Sequence, residues 1–78
     1  MDIVWHTYTG GQLAMLRSAL QTLIDGKLLD ENEKGTARGL IVKLSRAKVG
    51  KQGYATVIPA DEEEEELLSS VGAALWTK

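Results

Sequence analysis

His6 is the single histidine of the chain, and histidine is the side chain whose ordinary pKa lies near neutrality. To act as a base it would need a nucleophile or an orienting partner within hydrogen-bond reach. The hydroxyls beside it in sequence are Thr7, Tyr8 and Thr9, in a stretch rich in aromatic residues, so a half-buried structural histidine is the expectation. Carboxylates come in two runs, Asp30/Glu31/Glu33 and the unbroken Asp61, Glu62, Glu63, Glu64, Glu65 and Glu66. Acid–base catalysis needs carboxylates in environments that separate their pKa values, whereas a contiguous run at a helix start sits mostly in water. The run also lacks the glycine-containing spacing of a calcium loop. Thr9-Gly10-Gly11-Gln12 has two glycines but not the further glycine or lysine of a phosphate-cradling loop. There is no cysteine, so neither a disulfide framework nor a cysteine zinc site is available. No catalytic residue, cofactor site or metal ligand is assigned, and the chain is expected not to be an enzyme.

What the sequence does carry is segregated charge. The formal net charge of −2 hides blocks: residues 1–33 hold five acids and two bases, residues 34–53 six bases and no acid, and residues 54–78 six acids and one base. Such an arrangement says more about partners than the net value does. Between Lys34 and Lys51, Ala37, Leu40, Ile41, Leu44 and Ala47 recur as one face of an amphipathic helix. At about 100° per residue, Arg38, Val42 and Arg46 fall on the opposite side. Lys34, Arg38, Val42 and Arg46 are therefore expected to form a basic partner-binding face, with Val42 as the apolar centre that arginines surround in interface hot regions. Carboxylates favour the first turn of a helix by about 0.3–1 kcal/mol each, which accounts for three or four of Asp61–Glu66. The remainder repel one another, so the run reads as an acidic surface for a basic partner, with Asp30, Glu31 and Glu33 as candidates to extend it.

The elements that must position these residues follow from periodicity and caps. Asp2–Thr9 reads as a strand, with Ile3, Trp5 and Thr7 on one face and Val4, His6 and Tyr8 on the other. Thr9 and Gln12 have capping-box spacing, and Leu13, Leu16, Leu20, Leu23, Ile24 and Leu28 mark the stripe of a first helix that Gly26 would end in the left-handed conformation. Leu28 and Leu29 are expected to tuck into the core. Asp30 and Glu33 cap a second helix, in which Gly35 and Gly39 suggest a tight crossing with the first. Tyr54–Ile58 reads as a second strand, and Asp61 and Glu64 cap a third helix whose stripe is Leu67, Leu68, Val71, Ala74 and Leu75, with Trp76 at its edge.

The fold expected is α+β, a single small domain over 1–78 in the order strand-helix-helix-strand-helix: a helical hairpin and a third helix packed on a two-stranded sheet. A two-stranded sheet is marginal alone, so a homodimer through the Asp2–Thr9 edge is one expectation. No apolar run approaches the ~18 residues of a membrane span and no secretory signal is evident; with the absence of cysteine this fits a cytoplasmic location and no membrane partner. The size and charge blocks are similar in type to small phage or mobile-element proteins that disable host complexes. The function expected is a non-enzymatic protein-interaction module of that inhibitor type, binding a host nucleic-acid-binding complex by charge complementarity and imitating phosphate charge. The alternative rests on residues 12–58: a basic helix (34–48) followed by the glycine-tipped turn VGKQGYATVI (49–58) resembles the recognition helix and wing of winged-helix proteins, which implies direct DNA binding. One clear helix precedes the basic one, where that family's core normally has two.

Overall fold

The computed structural model describes residues 5–76. Asp2, Ile3 and Val4, assigned above to the first strand and the dimer edge, lie outside the described residues. The order is β1 (His6–Thr9), α1 (Gly10–Asp25), α2 (Glu31–Arg46), β2 (Tyr54–Val57) and α3 (Glu62–Trp76). β1 and β2 form a two-stranded antiparallel sheet that pairs His6 with Val57, Thr7 with Thr56, Tyr8 with Ala55 and Thr9 with Tyr54. The α+β architecture read from the sequence is the one observed.

Strand alternation decides which side of the sheet is covered. Tyr8, Ala55 and Val57 are buried against the helices, while Trp5, Thr7, Tyr54, Thr56 and Ile58 face outward. Apart from Tyr8 the core is aliphatic: Leu13, Leu16 and Leu20 of α1, Ala37, Leu40 and Leu44 of α2, and Leu68 and Val71 of α3 join those three sheet residues.

The caps of α1 and α2 are those the spacing predicts. Thr9 Oγ1 accepts from Gln12 N and Gln12 Oε1 from Thr9 N, at 3.1 and 2.8 Å; Asp30 and Glu33 repeat the exchange at 2.8 and 3.1 Å. The end of α1 differs. Gly26 keeps right-handed dihedrals (φ −79°, ψ 0°) and the left-handed position falls on Lys27, at φ +56°. Lys27 N–H donates to Ile24 O and Leu28 N–H to Leu23 O, the paired bonds of a Schellman cap, which place the left-handed residue one position beyond the glycine. Leu28 is consequently turned out and 70% exposed; Leu29 alone of that pair packs on the core. Gly35 and Gly39 do not mark a tight helix crossing: a Cβ on Gly35 would meet nothing within 4 Å, and one on Gly39 would reach only Glu64 Oε2 of α3, at 3.9 Å. α2 stops at Arg46 rather than Lys48, with Ala47 already extended. In α3, Ala74 is exposed and Gly72 is buried, because Trp76 folds back over it: a Cβ there would lie 3.1 Å from the indole.

Candidate functional site

Whether the acidic run is one surface depends on how α3 is seated. Leu68 and Val71 face the core, and residues three and four positions before Leu68 share its side of the helix. Those are Glu65 and Glu64, and both are committed to the fold. Glu64 Oε1 receives Lys43 Nζ at 2.6 Å and Ala60 N at 3.0 Å, while Lys43 also donates to Ile58 O at 3.0 Å. This one carboxylate, with Lys43, ties the chain just after β2 and the last turn of α2 to the start of α3. The third capping box is thereby altered: Asp61 Oδ1 accepts from Glu64 N at 2.9 Å, but the Glu64 side chain returns to Ala60 and Lys43 rather than to Asp61.

Glu65 holds the sheet. Its Oε2 accepts from His6 Nε2 at 2.7 Å and its Oε1 from Ser69 Oγ at 3.0 Å. The His6 hydrogen bond is the main reason its carboxyl is held below the ordinary value; burial opposes this, and the Ser69 bond and the histidine charge add to the lowering. His6 stacks on Tyr8 with ring centroids 6.0 Å apart, and Tyr8 meets Trp76 at 5.7 Å. Burial, reinforced by the Glu65 charge, pushes the Tyr8 phenol up to about 12. A nucleophilic triad needs histidine between hydroxyl and carboxylate. Here Glu65 stands between Ser69 and His6, so this trio locks β1 onto α3.

The other acids are brought to a different place. Asp30, Glu33 and Thr36 line one wall of an open groove, and Glu63, Glu66, Leu67 and Ser70 of α3 line the other, around about 430 Å3 of space. Lys43 meeting Glu64, Thr36 meeting Glu63 (3.4 Å), and Asp30 sharing the groove with Ser70 show that α2 and α3 run in opposite directions. Because α3 starts beside Thr36, partway along α2, its Glu63–Ser70 segment runs back alongside Thr36–Asp30, and the two acidic segments share one seam. Of Asp61–Glu66, the groove collects Glu63 and Glu66; Asp61 caps the helix and Glu62 is exposed outside the groove lining. Glu31 points elsewhere and meets Lys34 at 3.4 Å. Among the described residues, Asp30, Glu33, Glu63 and Glu66 have no cationic side chain within 4 Å, and no group of three or more His, Asp or Glu side chains is placed to hold a metal ion. Thr36 and Ser70 were not read from the sequence as part of this surface. Their signal was the helical spacing Asn32–Thr36 and Glu66–Ser70, legible only once the two helices are known to be neighbours.

The basic face is divided in the same way. Lys34 is half-buried and paired with Glu31, and Lys43 is taken by Glu64, whereas Arg38, Val42 and Arg46 are exposed. Beyond α2, Gly50 N–H donates to Tyr54 O and Gly53 N–H to Gly50 O, each at 3.0 Å, and Gly53 takes the positive φ (95°) that closes the turn. The turn expected of a wing is present, but the regular partner of β2 is β1. Among the described residues no helix is long and apolar enough to cross a membrane. Comparison with protein-family models, curated proteins and solved structures returns no match.

Proposed function

We propose that this chain is a small protein-interaction module that takes a lysine- or arginine-rich segment of a partner protein into the groove between α2 and α3. The observation that carries the reading is the convergence there of Asp30, Glu33, Glu63 and Glu66, supplied by two elements and uncompensated by any cation among the described residues. Carboxylates on a fixed scaffold attract and orient a cationic ligand more than they tighten it, and the hydroxyls of Thr36 and Ser70 add acceptors. A segment of that chemistry is what nucleic-acid-binding proteins present to phosphate, so the partner class is such a protein, and occupation of its basic segment inhibits it. Phosphate imitation of this kind needs no catalytic residue.

The test uses an oligoarginine peptide in fluorescence anisotropy. Glu63→Gln with Glu66→Gln should weaken binding about tenfold, or 1.4 kcal/mol. Glu31→Gln with Glu62→Gln removes the same charge outside the groove and should change affinity far less. Equal losses from the two pairs would reduce the groove to net charge and overturn the reading.

The DNA-binding alternative keeps one supporting observation: Arg38, Arg46, Lys48 and Lys51 are exposed without a carboxylate partner within 4 Å among the described residues. Against it, α2 spends Lys34 and Lys43 internally, which leaves two of its four cations for phosphate.

A further inference from the structure

Apolar side chains left in water are not spread evenly over this molecule. Of the eight large hydrophobic residues exposed among the described residues, Trp5, Val42, Val49, Tyr54 and Ile58 lie on the outer sheet face or beside β2. The register that pairs His6 with Val57 sets Trp5 next to Ile58, and these two are 68% and 43% exposed. Between β2 and α2 runs an open groove of about 470 Å3, with Val42 and Arg46 on the helix side and Thr56 and Ile58 on the strand side. Gly39 lies in its wall without a side chain to fill it. Arg38 and Arg46 stand one helical turn either side of Val42, and Lys48 and Lys51 flank Val49. From Lys34 to Ala60 the sequence holds no carboxylate. Glu64, the acid that does approach, is consumed by Lys43.

We infer that this α2–β2 groove is a second protein-docking surface, distinct from the acidic groove, and that its occupant is an acidic amphipathic protein segment. The segment's aliphatic side chains lie on Val42 and Ile58, and its carboxylates reach Arg38 and Arg46. Charge complementarity selects an acidic occupant, and the aliphatic centre selects protein over nucleic acid. Phosphate and ribose gain nothing from burying Val42, Val49 and Ile58, whereas an apolar centre rimmed by arginine with tryptophan and tyrosine at hand is the composition of protein hot spots. An amphipathic helix laid in a groove uses this geometry.

The experiment titrates isotope-labelled protein with a leucine–glutamate amphipathic peptide of about 18 residues, five turns of helix, up to roughly 1 mM, a weak affinity by any measure. Amide shifts should concentrate at Val42, Arg46, Thr56 and Ile58. Val42→Glu should leave the melting temperature unchanged, since Val42 is 49% exposed, and weaken binding at least about tenfold. Arg46→Glu should do the same, and Glu63→Gln with Glu66→Gln should not. Absence of shifts on this face, unchanged binding by folded Val42→Glu, or a response to oligothymidylate or duplex DNA but not to the peptide would each overturn the inference; the last would assign the face to nucleic acid.

Discussion

Replacing Lys43 with methionine keeps the aliphatic stem and removes the charge that Glu64 holds. The ammonium lies 2.6 Å from Glu64 Oε1 and 3.0 Å from Ile58 O, and the two side chains are 32% and 15% exposed. Exposed ion pairs contribute about 0.2–1 kcal/mol, and breaking a buried pair from one side costs about 3–5 kcal/mol. This pair falls between those limits. Glu64 would lose its cation while keeping the Ala60 N–H, and the Ile58 carbonyl would be freed to find water. The expected loss is about 1.5–2 kcal/mol, which lowers the melting temperature of a domain this small by on the order of 10 °C. Urea unfolding of Lys43→Met, Glu64→Gln and the double variant measures it, with an expected coupling energy of about 1 kcal/mol from the cycle. A loss under about 0.5 kcal/mol with no coupling would show a solvated pair. Glu64 would then belong with the free surface acids, and the division of the acidic run between fold and surface would fail.

Lys27→Gly should stabilise the protein by about 1 kcal/mol, because glycine adopts the left-handed cap without the Cβ clash that lysine bears; a neutral or destabilising result in thermal unfolding would mean that Lys27 makes a compensating contact. The phenol of Tyr8 sits at about 12 against an ordinary 10.0, so the unfolded chain releases that proton first and stability is lost between pH 10 and 12. Tyr8→Phe should flatten that limb, and an unchanged alkaline transition would refute the assignment. Glu65 runs the other way: its lowered folded value means its contribution is present above the ordinary carboxylate pKa and is lost as pH falls through the folded one. Glu65→Gln should therefore flatten the acid limb of a melting-temperature profile, and an unaltered limb would remove the His6–Glu65 contact from the acid response.

Element identity was legible because period and caps agreed. Leu40, Leu44 and Ala37 repeat at helical spacing behind an Asp30–Glu33 box, and Ala55 and Val57 alternate with Tyr54 and Thr56 as a one-sided strand requires. What sequence could not supply was the neighbour of each face. Gly35 and Gly39 looked like contacts because glycine costs stability inside a helix; nothing packs on Gly35, and the structure offers no steric reason for it. The acidic run is marked by capping spacing and the helix dipole at Asp61, Glu64 and the first turn, but these do not tell which acids the fold consumes. Its helical phase relative to Leu68 already set Glu64 and Glu65 apart from Glu62, Glu63 and Glu66, but their partners, His6 and Lys43, are distant in sequence and become visible only in the fold. The same holds for the groove: the kinship of Asp30 and Glu33 with Glu63 and Glu66 depends on α3 packing beside α2 with its start level with Thr36, a tertiary fact that no local pattern encodes.

α2 is the element common to both proposed surfaces, and its chemistry changes sign along its length. Asp30, Glu33 and Thr36 face the acidic groove; Arg38, Val42 and Arg46 face the opposite direction in charge and partner. The Lys43–Glu64 pair lies on the seam between α2 and α3, at the edge of the basic groove, with Glu63 of the acidic groove next to it in sequence. It consumes one charge of each sign there, so neither is left open to a partner. At physiological salt the fields of exposed charges decay over about 8 Å, so charges further apart than that along α2 act on partners separately. The low net charge is then a result of two uncancelled surfaces of opposite sign. Each can be lost without the other, which is why variants of Glu63 and Glu66 and variants of Val42 and Arg46 are expected to separate cleanly in binding.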